Sequence, residues 1–93
     1  MAQVRVGDAL QKLLKDNNWQ ARVNKGLLET HWEAIMGKTI SKYTREIRLS
    51  KGTLTIFTDV APLKQELQLA KELIRRNINE YFNQQMVEEV VIR

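Results

Sequence analysis

The chain has 93 residues, of which 43% are apolar and 28% are charged, and its formal net charge at pH 7 is +4. This length suits one small domain, so we expect residues 1–93 to fold as a single unit around one core. The lack of cysteine excludes disulfides and thiolate zinc sites, and no apolar run reaches the roughly 18 residues of a membrane-spanning helix.

Apolar periodicity predicts two helices in the first part of the chain. A first helix over residues 7–17 is indicated by apolar residues at helical spacing, namely Val6, Leu10, Leu13 and Leu14. A broader apolar stripe runs from Trp19 to Met36 and stops at Gly37, a natural helix end. We expect Trp32 to lie in the core and Trp19, at the helix start, to be available to a partner.

The apolar period changes from helical to alternating at Tyr43, which predicts a strand. One face of this strand is expected to carry Tyr43, Arg45, Ile47 and Leu49, and the other face Thr44, Glu46, Arg48 and Ser50. Residues 50–53, Ser-Lys-Gly-Thr, have the chemistry of a hairpin turn. The second strand then places Phe57 on the face opposite Leu54 and Ile56.

A third helix is predicted after the hairpin, with Pro62 just inside its start and an unbroken apolar stripe of about twenty residues that ends near Asn83. The β-branched segment Met86–Ile92 predicts a final strand. The resulting order is α-α-β-β-α-β. We expect an α+β fold, a two-layer sandwich in which a three-stranded sheet packs under the helices.

Little in the sequence points to catalysis. His31, the one histidine, lies between Leu28 and Trp32 in a predicted helix, where a partly buried structural residue is the simpler interpretation. The four glycines are scattered, so no phosphate-binding loop can be assembled from them. We expect no enzyme activity, no cofactor and no metal. The N-terminus has no apolar leader, so we expect a cytoplasmic protein without a membrane role.

Basic residues are concentrated around the predicted hairpin. Between Lys38 and Lys51 there are five basic residues against the single acid Glu46. The candidate nucleic-acid contacts from this region are Lys42, Arg45, Arg48, Lys51 and Phe57. Basic side chains neutralise phosphates and an exposed ring can stack on a base, so the pattern is typical of a single-strand platform. A solvated basic hairpin with Phe57 covered by another element explains the same pattern.

The predicted third helix carries a second group of basic residues. Glu72 lies four residues before Arg76, a favourable ion-pair order, so we rank Arg75 above Arg76 as a free basic contact for nucleic acid. Lys64 and Lys71 either add to this basic field or form a solvated face. Together with Trp19, we take them as candidate contacts to a protein partner.

Several short motifs resemble the DciA-like family of bacterial proteins. The matching residues are Trp32-Glu33-Ala34-Ile35-Met36-Gly37, Ile40, Gly52-Thr53-Leu54-Thr55-Ile56, Leu63, Glu66-Leu67 and Ile78-Asn79. Many members carry a tryptophan before the Glu-Leu helix, where this chain has Pro62-Leu63. The resemblance implies a KH-like domain that engages the replicative DNA helicase and has affinity for single-stranded DNA.

Two other functions stay open from the sequence alone. A KH-like module that binds RNA would use the same platform, although the Gly-x-x-Gly loop by which KH domains clamp RNA is missing. A protein-interaction adaptor would need the basic charge only for solubility. The sequence leaves the oligomeric state undetermined.

Overall fold

The structure is a computed structural model that describes residues 19–93, and at Trp19 the backbone alone. Its elements are α1 (Trp19–Met36), α2 (Lys38–Tyr43), β1 (Thr44–Ser50), β2 (Thr53–Thr58), α3 (Ala61–Leu69), α4 (Lys71–Phe82) and β3 (Glu89–Ile92). The predicted helix over residues 7–17 lies outside the described residues. The predicted α+β class is confirmed, with two differences: α2 was not predicted, and the predicted third helix is divided into α3 and α4.

The three strands form one mixed sheet in the order β1-β2-β3, with β1 antiparallel and β3 parallel to β2. The predicted hairpin is confirmed. Both central residues of its turn have positive φ, 51° at Lys51 and 81° at Gly52, as a tight two-residue hairpin turn requires. The Gly52 carbonyl accepts hydrogen bonds from the Glu88 and Glu89 amides at 2.7 and 3.1 Å, so the turn also holds the start of β3.

The core lies between one face of the sheet and the helices. The buried residues that form it are Leu28, Trp32, Ile47, Leu54, Ile56, Leu67, Ile74, Ile78, Met86, Val87, Val90 and Ile92. Helix and strand residues therefore belong to a single cluster, and the predicted two-layer arrangement is confirmed. We call the opposite side of the sheet, which carries Phe57, the open face.

The helix after the hairpin is interrupted at Ala70. The Ala70 backbone leaves helical geometry at φ −105° and ψ 14°, and its amide bonds to the Leu67 carbonyl, three residues back. Helix α4 then begins with the Ile74 amide bonded to the Ala70 carbonyl. The predicted unbroken helix is wrong because Leu67 and Ile74 are buried on either side of the break, so the apolar spacing does not reveal it.

The segment between α4 and β3 is held by the side chain of Asn79. Its Oδ1 accepts from the Met86 and Val87 amides at 2.9 and 2.8 Å, and its Nδ2 donates to the Val87 carbonyl at 2.8 Å. Met86 and Val87 are buried in this loop rather than in the strand that the sequence predicted from Met86 onward. Asn79 therefore fixes where β3 enters the sheet.

Candidate nucleic-acid interface

A β-bulge decides which side chains of β1 reach the open face. Thr44 pairs with Thr58 and Glu46 pairs with Phe57, which leaves Arg45 as an extra residue. The Trp32 indole N–H donates to the Thr44 hydroxyl at 3.0 Å, so Thr44 faces the core. The predicted assignment of faces is therefore wrong for Thr44 and Arg45, because strict alternation does not hold across a bulge.

The open face presents Phe57 between two guanidinium groups. The centre of its ring lies 5.1 Å from Arg48 Cζ and 5.5 Å from Arg45 Cζ. The prediction that Phe57 lies on the face opposite Leu54 and Ile56 is confirmed, since these two residues are buried while Phe57 is partly exposed. The helices between residues 19 and 93 contribute their buried residues to the other side of the sheet. We call Arg45, Arg48 and Phe57 the platform.

Each arginine of the platform has a carboxylate partner. Arg48 Nε donates to Glu46 Oε2 at 2.8 Å, and Arg45 Nε lies 3.6 Å from Asp59 Oδ1. The hydrogen bond from Arg48 is the main reason that the pKa of the Glu46 carboxyl is lowered from its ordinary value of 4.5. The Arg48 and Arg45 side chains are still 65% and 57% exposed. Both cations are therefore accessible but already paired.

The structure separates the other two predicted basic contacts, Lys42 and Lys51. Lys42, at the end of α2, lies with its ammonium 5.5 Å from the centre of the Tyr43 ring. A shallow hollow lined in part by Lys42, Arg45 and Asp59 brings Lys42 close to the platform. Lys51 lies in the turn, at the far end of β1. The predicted contacts thus form one group of four residues, with Lys51 apart from it.

Arg75 lies on α4, in the helical layer. Its Nη2 and Nε donate to Glu72 Oε1 at 2.8 and 3.1 Å. The expectation that Glu72 would pair with Arg76 is wrong, because the three-residue spacing on the helix is used instead of the four-residue spacing. Arg75 is therefore not the freer of the two arginines, and its role in binding nucleic acid stays a prediction.

A second exposed surface surrounds the break at Ala70. Leu69 is 86% exposed and Leu73 is 49% exposed, which is unusual for leucine in a small domain. The predicted partner contacts Lys64 and Lys71 lie on the same two helices and are partly exposed. We call Lys64, Leu69, Lys71 and Leu73 the elbow. Leu69 is out of phase with the buried stripe through Leu67, so the sequence itself indicates that Leu69 is exposed.

Several other expectations bear on the site. The Tyr81 hydroxyl lies 3.0 Å from His31 Nδ1, so His31 joins α1 to α4 as a partly buried helix residue. Trp32 is 5% exposed, as predicted, whereas the Trp19 side chain lies outside the described part of the chain. Within residues 19–93, no cluster of three or more His, Asp or Glu side chains is placed to hold a metal ion. Over the same range, no helix is long and apolar enough to cross a membrane.

Within residues 19–93, fold and site define an α+β module in which one face of the sheet carries an aromatic ring flanked by two arginines. The chain belongs to the DciA family: the family model described as "Dna[CI] antecedent, DciA" matches residues 5–92. The resemblance stated from the motifs is thereby confirmed.

Similar curated proteins occur in mycobacteria. A UPF0232 protein of Mycobacterium tuberculosis is 27% identical over 64 residues, which cover 69% of this chain and 34% of that protein. A UPF0232 protein of Mycolicibacterium smegmatis, named for the recF-gyrB intergenic region, is 26% identical over 73 residues, or 78% and 38% of the two chains. The chain thus spans about a third of the length of these relatives. No solved structure matches the chain.

The motif residues behind the resemblance are mostly structural. Trp32, Leu54, Ile56, Leu67 and Ile78 are all buried. The two motif glycines have positive φ, and the motif asparagine holds the loop before β3. The motifs therefore identify the fold, whereas the exposed residues of the site are defined only by their geometry.

Proposed function

We propose that this chain is a non-catalytic accessory protein of DNA replication that binds the replicative helicase and, weakly, single-stranded DNA. Membership of the DciA family, whose description as "Dna[CI] antecedent" refers to DNA replication proteins, supports the first part. The geometry of the open face supports the second part. We further propose that residues 1–93 act as one domain in the cytoplasm.

The observation that carries the DNA proposal is the position of Phe57 between Arg45 and Arg48. Stacking of one base on an aromatic side chain contributes about 1–3 kcal/mol to the binding free energy, whichever base it is. The two guanidinium groups lie close enough to the ring to reach phosphates on either side of a stacked base. Lys42 would extend the same path toward α2.

The helicase proposal rests on the elbow. Exposed apolar surface with polar residues around it is typical of protein interaction sites. Leu69 and Leu73 belong to the helical layer, whereas the platform lies on the other side of the sheet. One molecule would therefore be able to hold helicase and DNA at once, with Lys64, Lys71 and Trp19 as further predicted contacts.

The DNA proposal is tested by fluorescence anisotropy with a labelled oligonucleotide and two variants of Phe57. Phe57→Ala should weaken binding by about tenfold, because it removes the stacking surface. Phe57→Leu keeps much of the apolar volume but has no aromatic ring, so this variant should bind the oligonucleotide almost as weakly as Phe57→Ala. If both variants bind the single strand as tightly as the wild type, the open face is not the DNA surface.

The RNA alternative is separated by a competition between RNA and DNA oligomers of the same sequence. KH domains clamp RNA with a Gly-x-x-Gly loop between two helices, and here a single residue, Ala70, joins α3 to α4. RNA that competes clearly better than DNA would nevertheless favour an RNA-binding module. A chain that captures the helicase but binds no oligonucleotide at low salt would favour the protein-interaction adaptor.

A further inference from the structure

Neighbouring carboxylates balance the two positive charges of the platform in spite of the basic sequence around it. Arg45 and Arg48 are paired with Asp59 and Glu46, so these four side chains carry no net charge at neutral pH. Asp59 lies fourteen residues after Arg45 in the sequence, beyond the end of β2, and it reaches β1 because the hairpin is antiparallel. Next to the Phe57 ring these charges are therefore balanced, and Lys42 adds a positive charge at one side of this group.

We infer that Glu46 and Asp59 are specificity-determining residues, which make the open face select single strands with unpaired bases over duplex. This inference rests on the proposed binding of single-stranded DNA at the platform. The two carboxylates weaken any binding that depends only on phosphate contacts. Stacking on Phe57 then remains the main source of affinity.

The physical reason is that the two ligands offer different groups to the sheet. A duplex presents phosphates outward while its bases are paired and stacked, so its affinity for such a surface depends on cationic charge. Phosphates that approach Arg45 or Arg48 must displace a carboxylate or stand close to one. An unpaired base that displaces a guanidinium from above Phe57 instead stacks on the ring, and this stacking contact does not depend on net charge.

The main alternative is that the carboxylates only hold the arginines beside the ring. Glutamine and asparagine separate the two roles, because their side-chain oxygens still accept hydrogen bonds from arginine but carry no charge. The test variant is therefore Glu46→Gln with Asp59→Asn. The matched control is Glu33→Gln with Glu66→Gln, which changes the net charge equally through exposed carboxylates of α1 and α3.

The experiment measures anisotropy of a labelled single strand and of a blunt duplex of equal length over a range of salt concentrations. For the test variant we expect duplex affinity to rise about tenfold at low salt and single-strand affinity to rise less than threefold. The slope of log K against log salt for the duplex should steepen by about 1.8, as for two new phosphate contacts. The control variant should raise the affinity for the single strand and the affinity for the duplex slightly and by the same factor.

Two results would overturn the inference while the proposed function stands. One is an equal rise for both ligands, and the other is weaker binding of both, as expected if the carboxylates only position the arginines. A wild-type chain that binds no single strand, or that binds it independently of Phe57, would instead refute the proposed function and this inference with it.

Discussion

At the scale of single residues, the position of Arg45 shows where sequence patterns stop being informative. Alternation correctly predicted that Phe57 would lie opposite Leu54 and Ile56, because that strand is regular. Alternation placed Arg45 on the wrong face, because nothing in the local sequence marks the bulge. The bulge is stabilised from far away in the chain, by the hydrogen bond from Trp32 to Thr44.

Two basic residues near the turn of the hairpin, Arg48 and Lys51, should contribute differently to DNA binding. Arg48→Glu should weaken single-strand binding by about tenfold or more, because it places a negative charge beside Phe57. Lys51→Glu should weaken it less than threefold, since Lys51 lies in the turn, away from the ring. Anisotropy at one low salt concentration checks both, and equal losses would contradict the assignment of the platform.

The ion pair between Arg48 and Glu46 should be visible in the titration of Glu46. Carboxyl NMR should show a Glu46 pKa below 4.5 in the wild type and a higher value in Arg48→Gln, because the main hydrogen bond is lost. A lowered pKa in the folded state stabilises the fold above pH 4.5, and this contribution disappears as the pH falls through the folded value. An unchanged Glu46 pKa in Arg48→Gln would show that the pair does not form in solution.

At the scale of elements, turns and strands followed the sequence more closely than helices. The sequence predicts the Gly-containing turn and its two strands, because alternating apolar residues and a glycine suited to positive φ are visible in the local sequence. No local signal predicts the break at Ala70, since there is no proline or glycine beside it and the apolar spacing continues across it. The exposure of Leu69, in contrast, is visible in the sequence, because Leu69 is out of phase with the apolar stripe through Leu67.

The hairpin turn requires glycine at position 52. Gly52→Ala should lower the free energy of unfolding by about 1–2 kcal/mol, because alanine is disfavoured at φ 81°. The added Cβ would also lie 3.1 Å from Glu88 Cδ. Gly26→Ala is the control, since it lies within a helix and its added Cβ meets nothing within 4 Å. Urea unfolding distinguishes the two, and equal stabilities would contradict the role of the turn.

The loop before β3 should depend on Asn79. Asn79→Ala removes three hydrogen bonds to the loop backbone and should destabilise the protein by about 2–3 kcal/mol. Asn77→Ala, an exposed position on the same helix, should change stability by less than about 0.5 kcal/mol. Thermal and urea unfolding both report the difference. Equal effects at the two positions would mean that the loop is held by packing alone.

At the scale of the whole molecule, the sequence was informative about class and family but not about the charge of the site. Class and family follow from buried motif residues such as Trp32 and Ile78, whose apolar character is visible in the sequence. The charge around Phe57 includes Asp59, which lies far from Arg45 in the sequence and next to it in space. Counting residues along the chain therefore overestimated how basic the surface is.

The two layers of the fold also separate the two proposed partners. The platform lies on the open face of the sheet, and the elbow lies on the helices that cover the other face. Binding of DNA should therefore leave Leu69 and Leu73 available to the helicase.

An NMR titration of the isotope-labelled chain with a short single-stranded DNA oligomer tests whether the two surfaces are separate. We expect the amide signals of Arg45, Arg48 and Phe57 to shift on titration, while those of Leu69 and Leu73 stay in place. Shifts confined to α3 and α4, with the open face unchanged, would contradict this expectation.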